Sequence, residues 1–133
     1  MTSLSLECGK VNQNKVSDML AMTLGYNEDY SEEAPEKEAL DHLAGYALVE
    51  FGAPWCPHCQ VAMPIIESLM KTYPTVPHVK VLDGKGKRLG RQFGVKQWPN
   101  LILLKDGQEI GRWVRMTHIE ELNQAKDMLD SIV

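Results

Sequence analysis

The sequence has little cysteine, no excess of basic charge and no long apolar run. Only three of its 133 residues are cysteine, too few for the disulfide framework of small secreted domains. The formal net charge is −4, which argues against nucleic acid or an anionic membrane as the main partner, because neither attracts an acidic protein. No apolar stretch approaches the roughly 20 residues of a membrane-spanning helix.

The N-terminal residues also lack the basic start and the long apolar core of a signal peptide, so we expect a cytoplasmic protein. Hydrophobic residues make up 44% of the chain, which is enough for one core. We therefore expect one main domain over residues 31–133, preceded by an extension over residues 1–30. We expect the protein to be a monomer.

The extension is predicted to contain short elements. Leu4 and Leu6 alternate with a polar residue and are compatible with a short strand. Apolar residues from Asn14 onwards share one helical face, and Gly25 is a plausible end for that helix. An acidic stretch follows, which we expect to be a solvated linker: Glu28, Asp29, Glu32 and Glu33.

The most informative feature is a pair of cysteines separated by two residues, Cys56 and Cys59. Two thiols at this spacing fit on the first turn of a helix, where a disulfide can form and break without a large backbone movement. Residues 46–51 before them form a short continuous run typical of a buried strand. Pro57 suits the first turn of a helix, which we expect to run to about Tyr73.

This arrangement predicts different roles for the two thiols. At a strand-to-helix junction, unpaired N–H groups and the positive end of the helix dipole face the Cys56 sulfur. Such surroundings lower the pKa of a thiol and favour its nucleophilic form. Cys59 lies one turn further and is shielded, so we expect it to resolve a mixed disulfide.

A metal site is the competing explanation for two such cysteines. Structural zinc needs four ligands, usually supplied as two matched pairs, and this sequence has no second pair. A c-type haem site in its usual form is excluded, because Gln60 and not histidine follows Cys59. We expect no metal and no bound cofactor. The other candidate metal ligands are scattered along the sequence: Cys8, His42, His78 and His118.

Around the cysteines, the pattern alternates between strands and helices. We expect a helix from Pro35 that closes at Gly45, a parallel strand at 78–82, and a short helix with Leu89 and Phe93. Two more strands are expected at 101–104 and 109–114. A capping box from Thr117 to Glu120 is expected to open the last helix. Asp106-Gly107 provides the positive φ of a tight hairpin. This order predicts an α/β fold with a central mixed sheet and helices on both faces.

The order of elements, together with Trp-Cys-Pro-His-Cys at residues 55–59, Pro64 and Trp98-Pro99, resembles the thioredoxin family. The resemblance covers roughly residues 35–133. It implies a thioredoxin-like fold and a thiol-disulfide oxidoreductase that acts on protein disulfides, with Cys56 attacking and Cys59 resolving. It also implies that a thioredoxin reductase or a glutathione system supplies the electrons.

The resemblance assigns roles outside the cysteine motif as well. Glu50 occupies the place of the family's buried acid, and Lys80 aligns with the lysine that partners it. A desolvated carboxylate with a raised pKa would accept the Cys59 proton through water; alternatively, Glu50 is an edge-strand residue that points to solvent. Pro99 matches the family's cis-proline. The expected substrate-binding residues are Trp55, Pro57, His58, Trp98 and Pro99.

The sequence departs from the family pattern at several positions. Pro57 and His58 are the pair found between the cysteines of strongly oxidising periplasmic enzymes. A histidine here can add positive charge beside the thiolate, so we expect a protein more oxidising than thioredoxin. Trp98 is bulkier than the usual aliphatic residue, Asn100 replaces threonine, and Arg115 stands where the family keeps a glycine. These changes predict a narrower, charged substrate groove.

Two other functions stay open on the sequence alone. One is a redox-sensing or partner-binding module that uses residues 1–30, and the other is a glutaredoxin-like, glutathione-coupled activity. Simpler explanations also stay open for single residues: an exposed loop position for His58, a core aromatic for Trp98 and a small buried residue for Cys8.

Overall fold

The computed structural model describes residues 20–131, in which a five-stranded sheet carries helices on both faces. The strands are β1 (Met22–Leu24), β2 (Tyr46–Gly52), β3 (Pro77–Leu82), β4 (Asn100–Lys105) and β5 (Gln108–Val114). The helices are α1 (Lys37–Asp41), α2 (Pro57–Thr72), α3 (Arg88–Gln92) and α4 (Asn123–Asp130). A short 3-10 turn, Ile119–Leu122, leads into α4. The predicted α/β fold with a mixed sheet is confirmed.

The sheet has the strand order β1-β3-β2-β4-β5. Strands β2 and β3 are parallel, with Glu50 opposite Lys80, and the other neighbouring pairs are antiparallel. β2 is therefore central, and its residues from Ala47 to Gly52 are all buried. The continuous run at residues 46–51 therefore corresponds to a strand that is covered on both faces.

Alternate side chains of β2 enter two separate cores, because successive residues of a strand point to opposite faces. Leu48 packs in the core formed with α2 and α4. Phe51 packs in the opposite core, formed with α1 and α3. Glu50 alternates with Phe51 and therefore lies on the face of the sheet that carries α2.

The turn between β4 and β5 follows the sequence prediction. Asp106 and Gly107 have φ values of 50° and 82°, as a two-residue hairpin requires. The predicted capping box lies one residue later than expected. The Glu121 carboxylate accepts from the N–H groups of Thr117 (2.8 Å) and His118 (3.4 Å), and a 3-10 turn precedes the regular helix.

The N-terminal prediction needs correction. Residues Met22–Leu24 form β1 and not the end of a helix, because they pair antiparallel with β3 at the edge of the sheet. Gly25 has a φ of 79° and packs against the Pro74 backbone, where a side chain would crowd it. The strand predicted at Leu4 and Leu6, the start of the helix at Asn14 and the position of Cys8 lie outside the described residues.

The acidic stretch is more closely attached to the sheet than a linker. Its four acidic side chains are exposed, as expected. However, Ser31 bridges to Val81 of β3, and Asn27 is buried. Residues 22–31 therefore run along the edge of the sheet. Within residues 20–131, no helix is long and apolar enough to cross a membrane.

Candidate active site

The two cysteines lie where β2 passes into α2. The loop between the two elements is held by the N–H of Cys56, which donates to the Ala53 carbonyl (3.2 Å), and by Gln60 Nε2, which donates to the Pro54 carbonyl (2.9 Å). Cys56 has an extended backbone and caps α2, and Pro57 lies in its first turn. The strand-to-helix junction expected from the sequence is therefore present.

The Cys56 sulfur faces the open end of the helix. Its Sγ accepts a hydrogen bond from the backbone N–H of Cys59 at 3.2 Å. The first N–H groups of a helix have no carbonyl partner within it, so the sulfur occupies the position of a capping oxygen. Both cysteines are free thiols and both are buried, with 7% and 3% of their surface exposed.

Cys59 is the thiol that keeps its proton. Burial raises the pKa of Cys59 to about 12, and the adjacent Cys56 sulfur also raises it. Because the thiolate and not the thiol is the nucleophile, Cys59 needs a proton acceptor before it can attack a disulfide. The groups around it therefore decide how that proton leaves.

Glu50 lies beneath the cysteines with only 2% of its surface exposed. Its Oε2 accepts from the Tyr30 hydroxyl at 2.6 Å, and its Oε1 is 2.9 Å from His78 Nε2. Burial raises the pKa of Glu50, but the bond from His78 and the nearby positive charge outweigh burial and leave the pKa below its ordinary value. The raised pKa expected from the sequence is thus wrong, because burial here comes with hydrogen-bond donors.

Lys80 acts on Glu50 through its charge. Its register position is opposite Glu50, and its charge contributes to the lowered pKa of that carboxyl. Its Nζ donates to the Glu28 carbonyl at 2.9 Å and lies 4.5 Å from the centre of the Tyr30 ring. The side chains bonded directly to the carboxylate are therefore Tyr30 and His78, and Lys80 lies beside Tyr30.

Sequence reasoning missed Tyr30, His78 and Asn27 as members of the site. The Asn27 backbone N–H donates to His78 Nδ1 at 3.0 Å, which assigns the ring hydrogen to Nε2 and lets His78 donate to Glu50. A signal for His78 was available, since it lies two residues before Lys80 and so shares its face of the strand. Tyr30 carried no such signal, because it belongs to the acidic stretch.

The residues expected to bind substrate surround the cysteines to different degrees. Trp55 has 66% of its surface exposed, and Pro57 and His58 are exposed as well. The Trp98-Pro99 peptide bond is cis, as the resemblance implied. Trp98 is half-buried and packs against the cluster that contains both cysteines.

Trp98 is fixed by polar contacts at both ends. Its Nε1 donates to Asp83 Oδ2 at 2.9 Å, and its carbonyl accepts from Arg115 Nε at 3.0 Å. The Arg115 N–H donates to the Pro99 carbonyl at 3.0 Å, and Arg115 has a φ of 55°. A left-handed backbone favours glycine, which accounts physically for the glycine that the resemblance leads us to expect at this position. A charged side chain therefore stands beside the cis-proline.

The two thiols are adjacent, differ in hydrogen bonding and burial, and lie next to the exposed Trp55 side chain. This arrangement suits thiol-disulfide exchange. Among residues 20–131, no group of three or more histidine, cysteine or acidic side chains is placed to hold a metal ion.

Comparisons with known proteins agree with this chemistry. The model of the thioredoxin family matches residues 26–128. The structure of thioredoxin 2 from Pseudomonas aeruginosa in its reduced form is 48% identical and has a TM-score of 0.69. The matched region covers 78% of this chain and 96% of the thioredoxin 2 chain. Thioredoxin from Chlamydia muridarum is 38% identical over 79 residues, which are 59% of this chain and 78% of that protein.

A third similar protein is the thioredoxin NaTrxh from Nicotiana alata. Its crystal structure is 30% identical and has a TM-score of 0.58. The matched region covers 71% of this chain and 79% of the NaTrxh chain. These similarities do not favour the redox-sensing module or the glutaredoxin-like activity. Because the family match includes both cysteines and strands β2 to β5, this chain belongs to the thioredoxin family and is a thiol-disulfide oxidoreductase.

Proposed function

We propose that Cys56 attacks the substrate disulfide and that Cys59 resolves the mixed disulfide that results. The observation that carries this assignment is that the two thiols differ in their hydrogen bonds and in the surroundings of the sulfur. The Cys56 sulfur lies at the start of α2 and accepts a hydrogen bond from the Cys59 N–H. Cys59 lies one turn further, is almost fully buried, and has its pKa raised to about 12.

The two steps balance as a dithiol exchange. The Cys56 thiolate forms a bond to one substrate sulfur, the substrate disulfide breaks, and the other substrate sulfur leaves as a thiolate. Cys59 then loses its proton and attacks the Cys56 sulfur, which expels the second substrate sulfur and leaves a Cys56-Cys59 disulfide. The substrate is reduced by two electrons, and the protein is oxidised by two.

Glu50 is proposed as the acceptor of the Cys59 proton, with Lys80 stabilising its charge. The substrate-binding surface is proposed to comprise Trp55, Pro57, His58, Trp98 and Pro99. The exposed Trp55 ring suits contact with an incoming chain, and Trp98 packs against the cysteine cluster. Arg115 adds positive charge to this surface.

As a thioredoxin-family oxidoreductase, the protein acts on disulfide substrates and has a reductase partner. The finer assignment is that protein disulfides are its substrates and that a thioredoxin reductase or the glutathione system reduces it. We further propose that it works as a monomer in the cytoplasm, where thiol pairs of this kind serve catalysis more often than structure. No cofactor or metal is needed for the exchange.

Trapping the mixed disulfide tests the order of the two cysteines. In a Cys8→Ser background, Cys59→Ser is expected to accumulate a covalent complex with a disulfide-bonded protein such as insulin, because the resolving thiol is missing. The matched variant Cys56→Ser is expected to form none and to lose insulin reduction. Both variants are analysed for the covalent complex by non-reducing electrophoresis. Trapping by Cys56→Ser alone would reverse the assignment.

A further inference from the structure

We propose that the Tyr30 hydroxyl carries the Cys59 proton to Glu50 during resolution, which makes Tyr30 a catalytic residue of this protein. The proposal rests on the roles proposed above for the two cysteines. It replaces the water expected between carboxylate and thiol with a side chain of the protein itself.

The first observation is that Tyr30 contacts both ends of the transfer path. Its hydroxyl donates to Glu50 Oε2 at 2.6 Å. Its ring packs against the cluster of Ala53, Cys56 and Cys59. The hydroxyl also lowers the pKa of the Cys59 thiol, against the effect of burial. Tyr30 therefore stands between the proton donor and the proton acceptor.

The second observation is the space left by Gly52. A Cβ atom at this position would lie 2.7 Å from Cys59 Sγ and also 2.7 Å from the Tyr30 hydroxyl. Real Cβ atoms do not approach other atoms so closely, so any larger residue would push the sulfur and the hydroxyl apart. Gly52 thus lets both atoms occupy one small volume above β2.

The third observation is that the acceptor side of the path is complete. Glu50 is held at Oε1 by His78 Nε2, whose tautomer is set by the Asn27 N–H. Lys80 Nζ lies over the Tyr30 ring and donates to the Glu28 carbonyl. Glu50 Oε2 accepts from the Tyr30 hydroxyl, so a proton that arrives through the hydroxyl meets a carboxylate already oriented to take it.

The transfer balances without a charged tyrosine. As Cys59 attacks the Cys56 sulfur, its thiol proton moves to the Tyr30 oxygen while the Tyr30 proton moves to Glu50 Oε2. Tyr30 stays neutral, Glu50 becomes a carboxylic acid, and the substrate sulfur leaves with the electron pair of the broken disulfide. A tyrosinate never forms, which agrees with the raised pKa of Tyr30, caused by burial and by the Glu50 charge.

The test separates attack from resolution. In a Cys8→Ser background, the reduced protein is mixed with 5,5′-dithiobis(2-nitrobenzoate), and the release of coloured thiolate is followed by stopped-flow absorbance. The first equivalent reports attack by Cys56, and the second reports resolution by Cys59. Tyr30→Phe is expected to leave the first phase unchanged and to slow the second on the order of 100-fold.

Two further variants exclude a merely structural role. Tyr26→Phe removes a hydroxyl from the same segment and is expected to leave both phases unchanged, because no hydrogen bond joins that hydroxyl to Glu50 among the described residues. Glu50→Gln is expected to slow the second phase, and the double variant Tyr30→Phe/Glu50→Gln is expected to be no slower than the slower single variant. When two residues act in the same proton path, removing the second has no further effect on the rate once the first is gone.

The outcomes are distinct. A second phase in Tyr30→Phe as fast as in the parent overturns the relay, as do slowing factors that multiply in the double variant. In the same assay, a first phase that persists in Cys56→Ser and is absent in Cys59→Ser overturns the proposed role of Cys56 and the relay with it.

Discussion

Glu50 is a carboxylate held almost out of water by two hydrogen-bond donors, the Tyr30 hydroxyl and His78 Nε2. Such a group is costly to bury alone, and its partners determine whether it is ionised. Here the donors outweigh burial, and the pKa of Glu50 is lowered. Glu50 is therefore ionised at rest and hydrogen-bonded on both oxygens.

This lowered pKa predicts how stability depends on pH. Above the ordinary value of 4.5 the ionised Glu50 contributes fully to folding, and its contribution is lost as the pH falls through the lower pKa of the folded state. Urea denaturation between about pH 7 and about pH 3 is expected to show the parent losing more stability than Glu50→Gln on acidification. The midpoint of unfolding measures this difference.

The control for charge alone is Glu67→Gln, which removes a surface carboxylate paired with Lys71. Its midpoints are expected to fall with pH in parallel with those of the parent. If the midpoints of Glu50→Gln also stay parallel to those of the parent over the whole range, the lowered pKa of Glu50 is wrong.

At the scale of secondary-structure elements, the junction of β2 and α2 fixes the chemistry of Cys56. β2 is buried on both faces, and Cys56 follows its C-terminal end and caps the N-terminus of α2. The helix supplies N–H groups to the sulfur, and the exposed side chains of its first turn remain free to vary. His58 is one of these exposed positions, so it can change the redox potential without changing the fold.

The first turn of α2 is therefore predicted to set the reduction potential. In a Cys8→Ser background equilibrated in glutathione buffers, the parent is expected to lie above thioredoxin's potential of about −270 mV, toward the oxidising range near about −120 mV. His58→Ala is expected to shift it back toward the thioredoxin value, because the side chain expected to add positive charge near the Cys56 thiolate is removed.

His42→Ala is the matched control, since His42 is an exposed histidine near the end of α1. Its potential is expected to equal that of the parent. A parent potential near −270 mV that His58→Ala does not move would show that the sheet and Glu50, and not His58, set the redox balance.

At the scale of the whole molecule, the segment before α1 belongs to both the sheet and the active site. β1 pairs with β3, Asn27 contacts His78, and Tyr30 contacts Glu50. A deletion of residues 1–30 therefore reaches into the described fold. It removes an edge strand and a partner of the buried carboxylate.

Two truncations compared with each other measure what this segment contributes. Deletion of residues 1–30 is expected to lower the free energy of unfolding by about 3 kcal/mol or more relative to deletion of residues 1–19, because it leaves buried polar groups without partners. It is also expected to slow insulin reduction. Urea denaturation and an insulin turbidity assay measure these effects. Equal unfolding midpoints for the two truncations would contradict the prediction.

Much of this molecule follows from local sequence patterns. The run at residues 46–51 predicted β2, Asp106-Gly107 predicted the hairpin, and two cysteines three positions apart predicted a redox pair at a helix start. Each of these signals lies within a few residues, where spacing and backbone preference decide the structure. Where the local pattern was ambiguous, as in residues 22–24, pairing with β3 decided for a strand.

The sequence by itself thus determined the order of elements after residue 35, the position of the two thiols and the family to which they belong. Only the tertiary structure decided which groups surround Glu50. Tyr30 and His78 lie 20 and 28 positions from Glu50, and Asn27 lies 51 positions from His78. No local periodicity links such positions, because their proximity arises only when the chain before α1 closes along the edge of β3 and brings a hydroxyl beneath Cys59.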